Sequence, residues 1–356
     1  MRKYILLALL AVTALTLVAC AKPNDPQARL KAGRTALDKG DTTTAIRELE
    51  AAIAVDPKLA EARVLLGRAY EKAGRRDDAI NQYQAAITFE SQDAQAAYYL
   101  GALLVNAGRP VEAATALASG VKLDAGMAVS YTQEISAALT AAQASSEELA
   151  KTNPQQAIPL LNAITTLDSR NVRAHVLLGN VYVGTGQSQP AIEQYQAALA
   201  LDPQNISAIT NMGAAYYQMQ KLDDAITQFQ AALKLAPTDA ETHYLLGAAY
   251  IQKNMVEQAR SEFQAAIQAN PGLAAAYIGL GNVQLLQNDV EGAVSSLSKA
   301  VQLSPNQPEA LYALGKALML KGDKAGARDT LQKFLTFNPP APQRTEAEGW
   351  LKQLGQ

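Results

Sequence analysis

Cysteine is almost missing from this chain: of 356 residues only Cys20 carries a thiol. An internal disulfide framework and paired-cysteine metal motifs are therefore excluded. Histidine is nearly as scarce, with only His175 and His243. No nucleophile elbow, phosphate-binding glycine loop, zinc-ligand spacing or Cys-His pairing is present, so the inventory for an enzyme is missing and no cofactor is implied. Positive charge is not in surplus either. With 31 Lys+Arg against 33 Asp+Glu and a net charge of -2, the chain lacks the basic footprint that nucleic acid requires. Beyond the first twenty residues no stretch has the length and apolarity of a membrane span.

What is present begins at the N-terminus. Arg2-Lys3 precede an uncharged run from Ile5 to Val18, the layout of a secretory signal. The run closes as Leu17-Val18-Ala19-Cys20, which resembles the bacterial lipobox. That resemblance implies diacylglyceryl transfer to the Cys20 thiol, cleavage after Ala19 and acylation of the new N-terminus, so that a signal peptide spans 1–19 and a lipidated tether 20–25. Two or more acyl chains hold a membrane where one would be marginal. With Ala21 after the cysteine, the enterobacterial sorting rule favours the periplasmic face of the outer membrane. The outer leaflet of the inner membrane and the cell surface remain as alternatives. A tether of about six residues reaches roughly 20 Å at most, which would keep the first repeat, with Arg34 and Arg68, near lipid headgroups.

The rest of the chain repeats itself every 34 residues. A small residue marks the first helix of each unit at Gly33, Gly67, Gly101, Gly179, Gly213, Gly247, Gly281 and Gly315, and alanines from Ala45 to Ala327 keep the same step on the second helix. Between the helices stands Gly40, Gly74, Gly108, Gly186 or Gly322, or else Asn254 or Asn288, residues that tolerate a left-handed helix cap. Prolines such as Pro57, Pro203 and Pro305 close the units, because proline cannot continue a helix. Small residues let paired helices approach, and Tyr83, Tyr195, Phe229 and Phe263 fill the space between them.

This pattern resembles the tetratricopeptide repeat, a helix-turn-helix unit. The resemblance implies an all-α TPR α-solenoid, a right-handed superhelix of antiparallel helix pairs with about nine repeats. Repeats 1–3 span 26–127, an irregular repeat 128–171, repeats 5–9 span 172–341, and a C-terminal capping helix 342–356. The irregular stretch runs 44 residues, and its excess falls in a first helix from about Val129 to Lys151, ended by Asn153-Pro154. It reads as a tolerated insertion, with a hinge or a protruding partner-binding helix as the sharper alternative. Acid pairs such as Asp77-Asp78 and Asp223-Asp224 complement the dipoles of second helices. His175 and His243 hold the same place in repeats two units apart, roughly 20 Å, so they cannot share a metal.

In the family, the inner face is lined by first-helix residues at the second, fifth, ninth, twelfth and thirteenth places of the repeat. On this sequence that implies a groove formed by Tyr98, Val176, Asn180, Tyr217, Tyr244, Ile278, Asn282 and Tyr312, with Asn211 beside them at the sixth place. Tyrosines there supply contact area with a polar handle. A clamp for a C-terminal carboxylate is not supported: Asn180 and Asn211 stand at its asparagine places, but Val176, Glu241 and Leu245 hold the places of its cations. The implied function is a membrane-anchored periplasmic scaffold or adaptor whose groove takes a partner peptide or helix. Pilus, secretin or exopolysaccharide export assembly is the favoured setting. An adaptor for cell-wall or outer-membrane maintenance enzymes, or a carrier of an apolar ligand, is the alternative. The partners are other proteins and, through Cys20, the membrane; neither nucleic acid nor a metal is expected.

Overall fold

The computed structural model describes residues 25–90 and 92–355, so the signal segment and Cys20 lie outside the described residues. Among them there are nineteen α-helices, one 3-10 helix and no strand. The chain divides into two compact units after Leu177.

The first unit stacks four antiparallel helix pairs. These are α1 (Pro26–Asp38) with α2 (Thr42–Val55), α3 (Ala60–Lys72) with α4 (Arg76–Phe89), α5 (Ala94–Asn106) with α6 (Pro110–Leu123), and α7 (Thr132–Thr152) with α8 (Pro154–Leu167). Helix α9 (Val172–Gly184) contains the division. The second unit continues with α10 (Ser188–Leu201), α11 (Ile206–Gln218), α12 (Leu222–Leu235), α13 (Ala240–Gln252), α14 (Val256–Ala269), α15 (Ala274–Leu286), α16 (Val290–Leu303), α17 (Pro308–Lys321), α18 (Lys324–Leu335) and α19 (Ala341–Leu354). Within each unit a first helix packs on its own second helix and on the second helix before it. The result is an all-α solenoid in which neighbours supply each other's core.

The small-residue register sets how close the helices come. A Cβ built on Gly67 would stand 2.6 Å from the Tyr83 ring, one on Gly213 2.7 Å from Phe229, and one on Gly315 2.5 Å from Leu331. The bulky partner always comes sixteen residues later, on the second helix of the same pair. The turns between helices place Gly40, Gly74, Gly108, Gly186 and Gly322 at positive φ, with Asn254 and Asn288 at 58° and 60°. Gln220 takes the same conformation at φ 59°, a left-handed position without the glycine or asparagine that relieves it. Asp41, Asp93, Asn205, Asp239 and Asp289 cap helix N-termini with side-chain oxygens.

In the irregular repeat the extra residues divide between a 3-10 turn, Ala125–Tyr131, and the 21-residue α7. The helix therefore starts three residues later than the sequence pattern indicates. Asp124 bonds the Gly126 amide at 2.9 Å and winds the chain into the 3-10 turn first. Helix α7 buries only Ala138, Ala142 and Ser146, three residues in about six turns. Acid residues at the starts of second helices do more than complement a dipole: Asp223 pairs with Lys253, and Glu291 with Lys321 at 2.8 Å.

Helix α19 has the pattern of another first helix. Gly349 falls on the small-residue register, yet nothing lies within 4 Å of its Cβ position. The seventh and eleventh places, apolar in Leu246 and Tyr250, become Glu348 and Lys352, both exposed, which gives the stack a polar outer face. Its inner face holds Trp350 against Tyr312, ring centroids 5.6 Å apart, and Glu346 accepts the Tyr312 hydroxyl bond. Burial first, and then the Glu346 carboxylate, push the Tyr312 phenol up to about 12. A raised acid favours the neutral ring in the docked state. That contribution is complete below the free phenol range near 10 and lost as pH rises through about 12. Trp350, the single tryptophan, reports it directly. Its emission should change over that window, and Tyr312→Phe should remove the change; an identical titration in the variant would disprove the tether.

Candidate functional site

The inner face of the second unit opens into a groove of about 420 Å³. Helices α13, α15 and α17 supply its walls, with Tyr217 of α11 at one side. Four residues expected from the sequence meet there: Tyr217, Tyr244, Ile278 and Asn282. The opening exists because Ala248, Ala275 and Gly279 are small. At the sixth place, where other repeats carry Tyr99, Asn211 or Leu245, Gly279 lacks a side chain. A Cβ on it would stand 2.5 Å from the Phe263 ring, so Phe263 fills the floor from below and is only 2% exposed.

The groove is amphipathic. Tyr244 packs tilted on Phe263 at 6.0 Å, and its phenol is pushed up by burial first, then by the charges of Glu241 and Tyr217. Gln252 donates to the Tyr217 hydroxyl at 2.5 Å and fixes that ring. Glu309 is the charged residue among those lining the cavity. Such a surface offers flat apolar contact with a few orienting polar groups, the composition of a peptide-recognition surface. Leu286 and Leu320, 66% and 60% exposed, stand at the thirteenth place of their repeats, a register the sequence assigns to the inner face. Their signal was available, since Lys72, Asn106, Gln218 and Gln252 are polar at that place.

The other expected groove residues are placed differently. Tyr98 is a correction: it is fully buried, donates its hydroxyl to the Asp124 carbonyl at 2.9 Å and stacks on Tyr131 at 4.7 Å. The 3-10 turn of the irregular repeat brings Tyr131 over it, so its ring belongs to the core. Asn180 and Asn211 pair with each other at 2.7 Å, and Asn180 also accepts from Tyr195 at 2.8 Å. Val176 is half-buried and belongs to the first unit. Tyr312 faces inward as its register requires but is covered by Trp350 and Glu346 of α19.

The two histidines act on turns. His175 Nε2 meets the Ser169 carbonyl at 3.2 Å, and His243 meets the Pro237 carbonyl at 3.0 Å and Glu262 at 2.6 Å. Arg63 holds the Pro57 carbonyl in the same way. Among the described residues no group of three or more His, Cys, Asp or Glu side chains converges for a metal, and no helix is long and apolar enough to cross a membrane.

Family models described as TPR repeat match residues 179–220, 215–254 and 285–322. Models described as tetratricopeptide repeat match 30–92, 65–128, 240–273 and 309–340. No curated protein matches. Among solved structures, Pseudomonas aeruginosa PilF is similar at 18% identity and a TM-score of 0.53, covering 59% of this chain and 98% of PilF. MamA 41-end from Desulfovibrio magneticus RS-1 aligns at 22% identity and a TM-score of 0.44, over 48% of this chain and 96% of that MamA chain.

Proposed function

The chain belongs to the tetratricopeptide repeat family, and from that premise we propose that it is a membrane-anchored scaffold, with the groove of the second unit as its partner site. Proteins of this family bind other proteins, and the fold typically serves as a non-catalytic interaction platform. The observation that carries the site is the convergence of Tyr217, Tyr244 and Ile278 over small residues that open a path to Phe263. A partner segment lays apolar side chains on this floor, where removing one well-packed aromatic contact costs about 2 kcal/mol.

The anchor rests on Leu17-Val18-Ala19-Cys20 and the apolar run before it. Lipidated at Cys20, the protein sits on the periplasmic face of the outer membrane and supports assembly of an envelope complex of the pilus, secretin or exopolysaccharide export type. Crosslinking in cells tests both parts. Tyr244→Ala combined with Ile278→Ala should remove the crosslinked partner while the protein stays with membranes. Cys20→Ser should release the protein from membranes. A folded double variant that keeps its partner would sink the groove, and a membrane-bound Cys20→Ser protein would sink the anchor.

A further inference from the structure

The two units carry corresponding cavities, and comparing them shows what the second one lacks. In the first unit a groove of about 290 Å³ is lined by Arg34, Glu61, Arg68 and Gln95 among others. Arg34 stands at the ninth place of its repeat and Glu61 at the second place of the next, and the two form an ion pair. The register thus brings a ninth-place side chain onto the second-place side chain that follows it. Arg68 occupies the next ninth place and lies 5.7 Å from the Tyr99 ring centroid. The cations that belong in this groove are supplied by the chain itself.

In the second unit the same register pairs Ala214 with Glu241, Ala248 with Ala275, and Asn282 with Glu309. The last two pairs line the 420 Å³ groove together, as the register requires. Glu241 and Glu309 keep the second-place carboxylate while Ala275 does not, and none of the three ninth places keeps an arginine. Among the described residues no ion pair joins Glu241 or Glu309 to a cation, and both are exposed. Neighbouring lysines are engaged elsewhere, Lys253 with Asp223 and Lys321 with Glu291. Lys316 lies seven residues beyond Glu309 on α17, a rise of about 10 Å, comparable to the screening length at physiological salt. A helix dipole accounts for a carboxylate in a first turn. It does not account for the replacement of the arginine by alanine and asparagine beside an open apolar floor.

We propose that the partner supplies the missing cation: the groove of the second unit takes a peptide segment in which an arginine or lysine neighbours a bulky apolar side chain. The apolar side chain enters over Ala248, Ala275 and Gly279 toward Phe263. The cation meets Glu309, occupying the role Arg34 plays beside Glu61. Arginine fits best, because its fork binds a carboxylate with two parallel hydrogen bonds. The inference rests on the groove being the partner site and adds the chemistry of what it selects.

A random peptide library displayed on phage and selected on the purified full-length chain tests it. Enriched sequences should pair a bulky apolar residue with arginine or lysine, and a synthetic peptide of that sequence should bind in fluorescence anisotropy. Asn282→Arg restores the internal pairing and should weaken that peptide about tenfold, as should Glu309→Gln, the expected loss of one charge-assisted contact. Both positions are exposed, so thermal melts should match the parent. If peptides bind and depend on Tyr244 but ignore Glu309→Gln and Asn282→Arg, the cation is overturned and the groove stands. If no peptide is retained, or binding is unchanged in Tyr244→Ala, the groove and the cation fall together.

Discussion

Phe263→Ala is expected to cost about 3–5 kcal/mol of unfolding free energy and to abolish partner binding with it, because this ring supports two elements at once. The side chain is 2% exposed and sits in a cluster with Phe229, Leu246, Tyr250 and Val283. Ring carbons lie 2.8 Å from the Cβ position of Gly247 and 2.5 Å from that of Gly279, so helices α13 and α15 both close on it. Truncation leaves a cavity between two glycines, which have no side chains of their own to fill it. In a stack whose stability is a sum over neighbours, such a loss can uncouple one repeat from the next. Urea unfolding followed by circular dichroism, alongside Trp350 emission from the C-terminal end, should show a lower midpoint, with the two signals separating if the uncoupling is complete. A loss below about 1 kcal/mol would contradict the packing.

The repeat was legible because its cause is local. Each small residue at the eighth place is paired with a bulky one sixteen residues later in the same hairpin, so the register can be read from one helix pair without knowing the rest. Groove residues were legible only in part. Tyr217, Tyr244, Ile278 and Asn282 meet because the register places them on one face of parallel first helices. Tyr98 has the same register as Tyr244, yet it is buried, because the 3-10 turn after Leu123 lays Tyr131 against it. Nothing in the repeat pattern indicates that contact, which depends on how an irregular segment folds back. Tyr312 was covered for a related reason: Trp350 lies outside the repeats from which the groove was read. The cavity itself depends on a missing side chain at Gly279, and a list of contact-making residues passes over an absence. Its one carboxylate, Glu309, is passed over in the same way, since only the Arg34–Glu61 pair shows what a filled site contains.

The eighth-place register allows a comparison within one chain, with the same parent residue, glycine, at two corresponding positions and opposite expected signs for an added side chain. At Gly315 an added Cβ would meet Leu331 at 2.5 Å, and Leu331 is itself fully buried between Leu311, Phe334 and Ala347. Leu331 has no room to withdraw, so Gly315→Val should overpack the hairpin and destabilise it by about 3 kcal/mol. Gly349 occupies the same place on α19, but nothing lies within 4 Å of its Cβ position. There the residue costs helix propensity and gains no close approach, so Gly349→Ala should stabilise the terminal helix by up to about 1 kcal/mol. Since helix α19 packs through Ala347, Trp350, Leu351 and Leu354, the gain should appear as a higher midpoint in Trp350 emission. Close approach of paired helices is the reason for glycine at this register, and the two substitutions should therefore differ by several kcal/mol in opposite directions. Equal losses at both positions would mean that glycine is required for some property of the first helix alone, and the hairpin argument would fail with it.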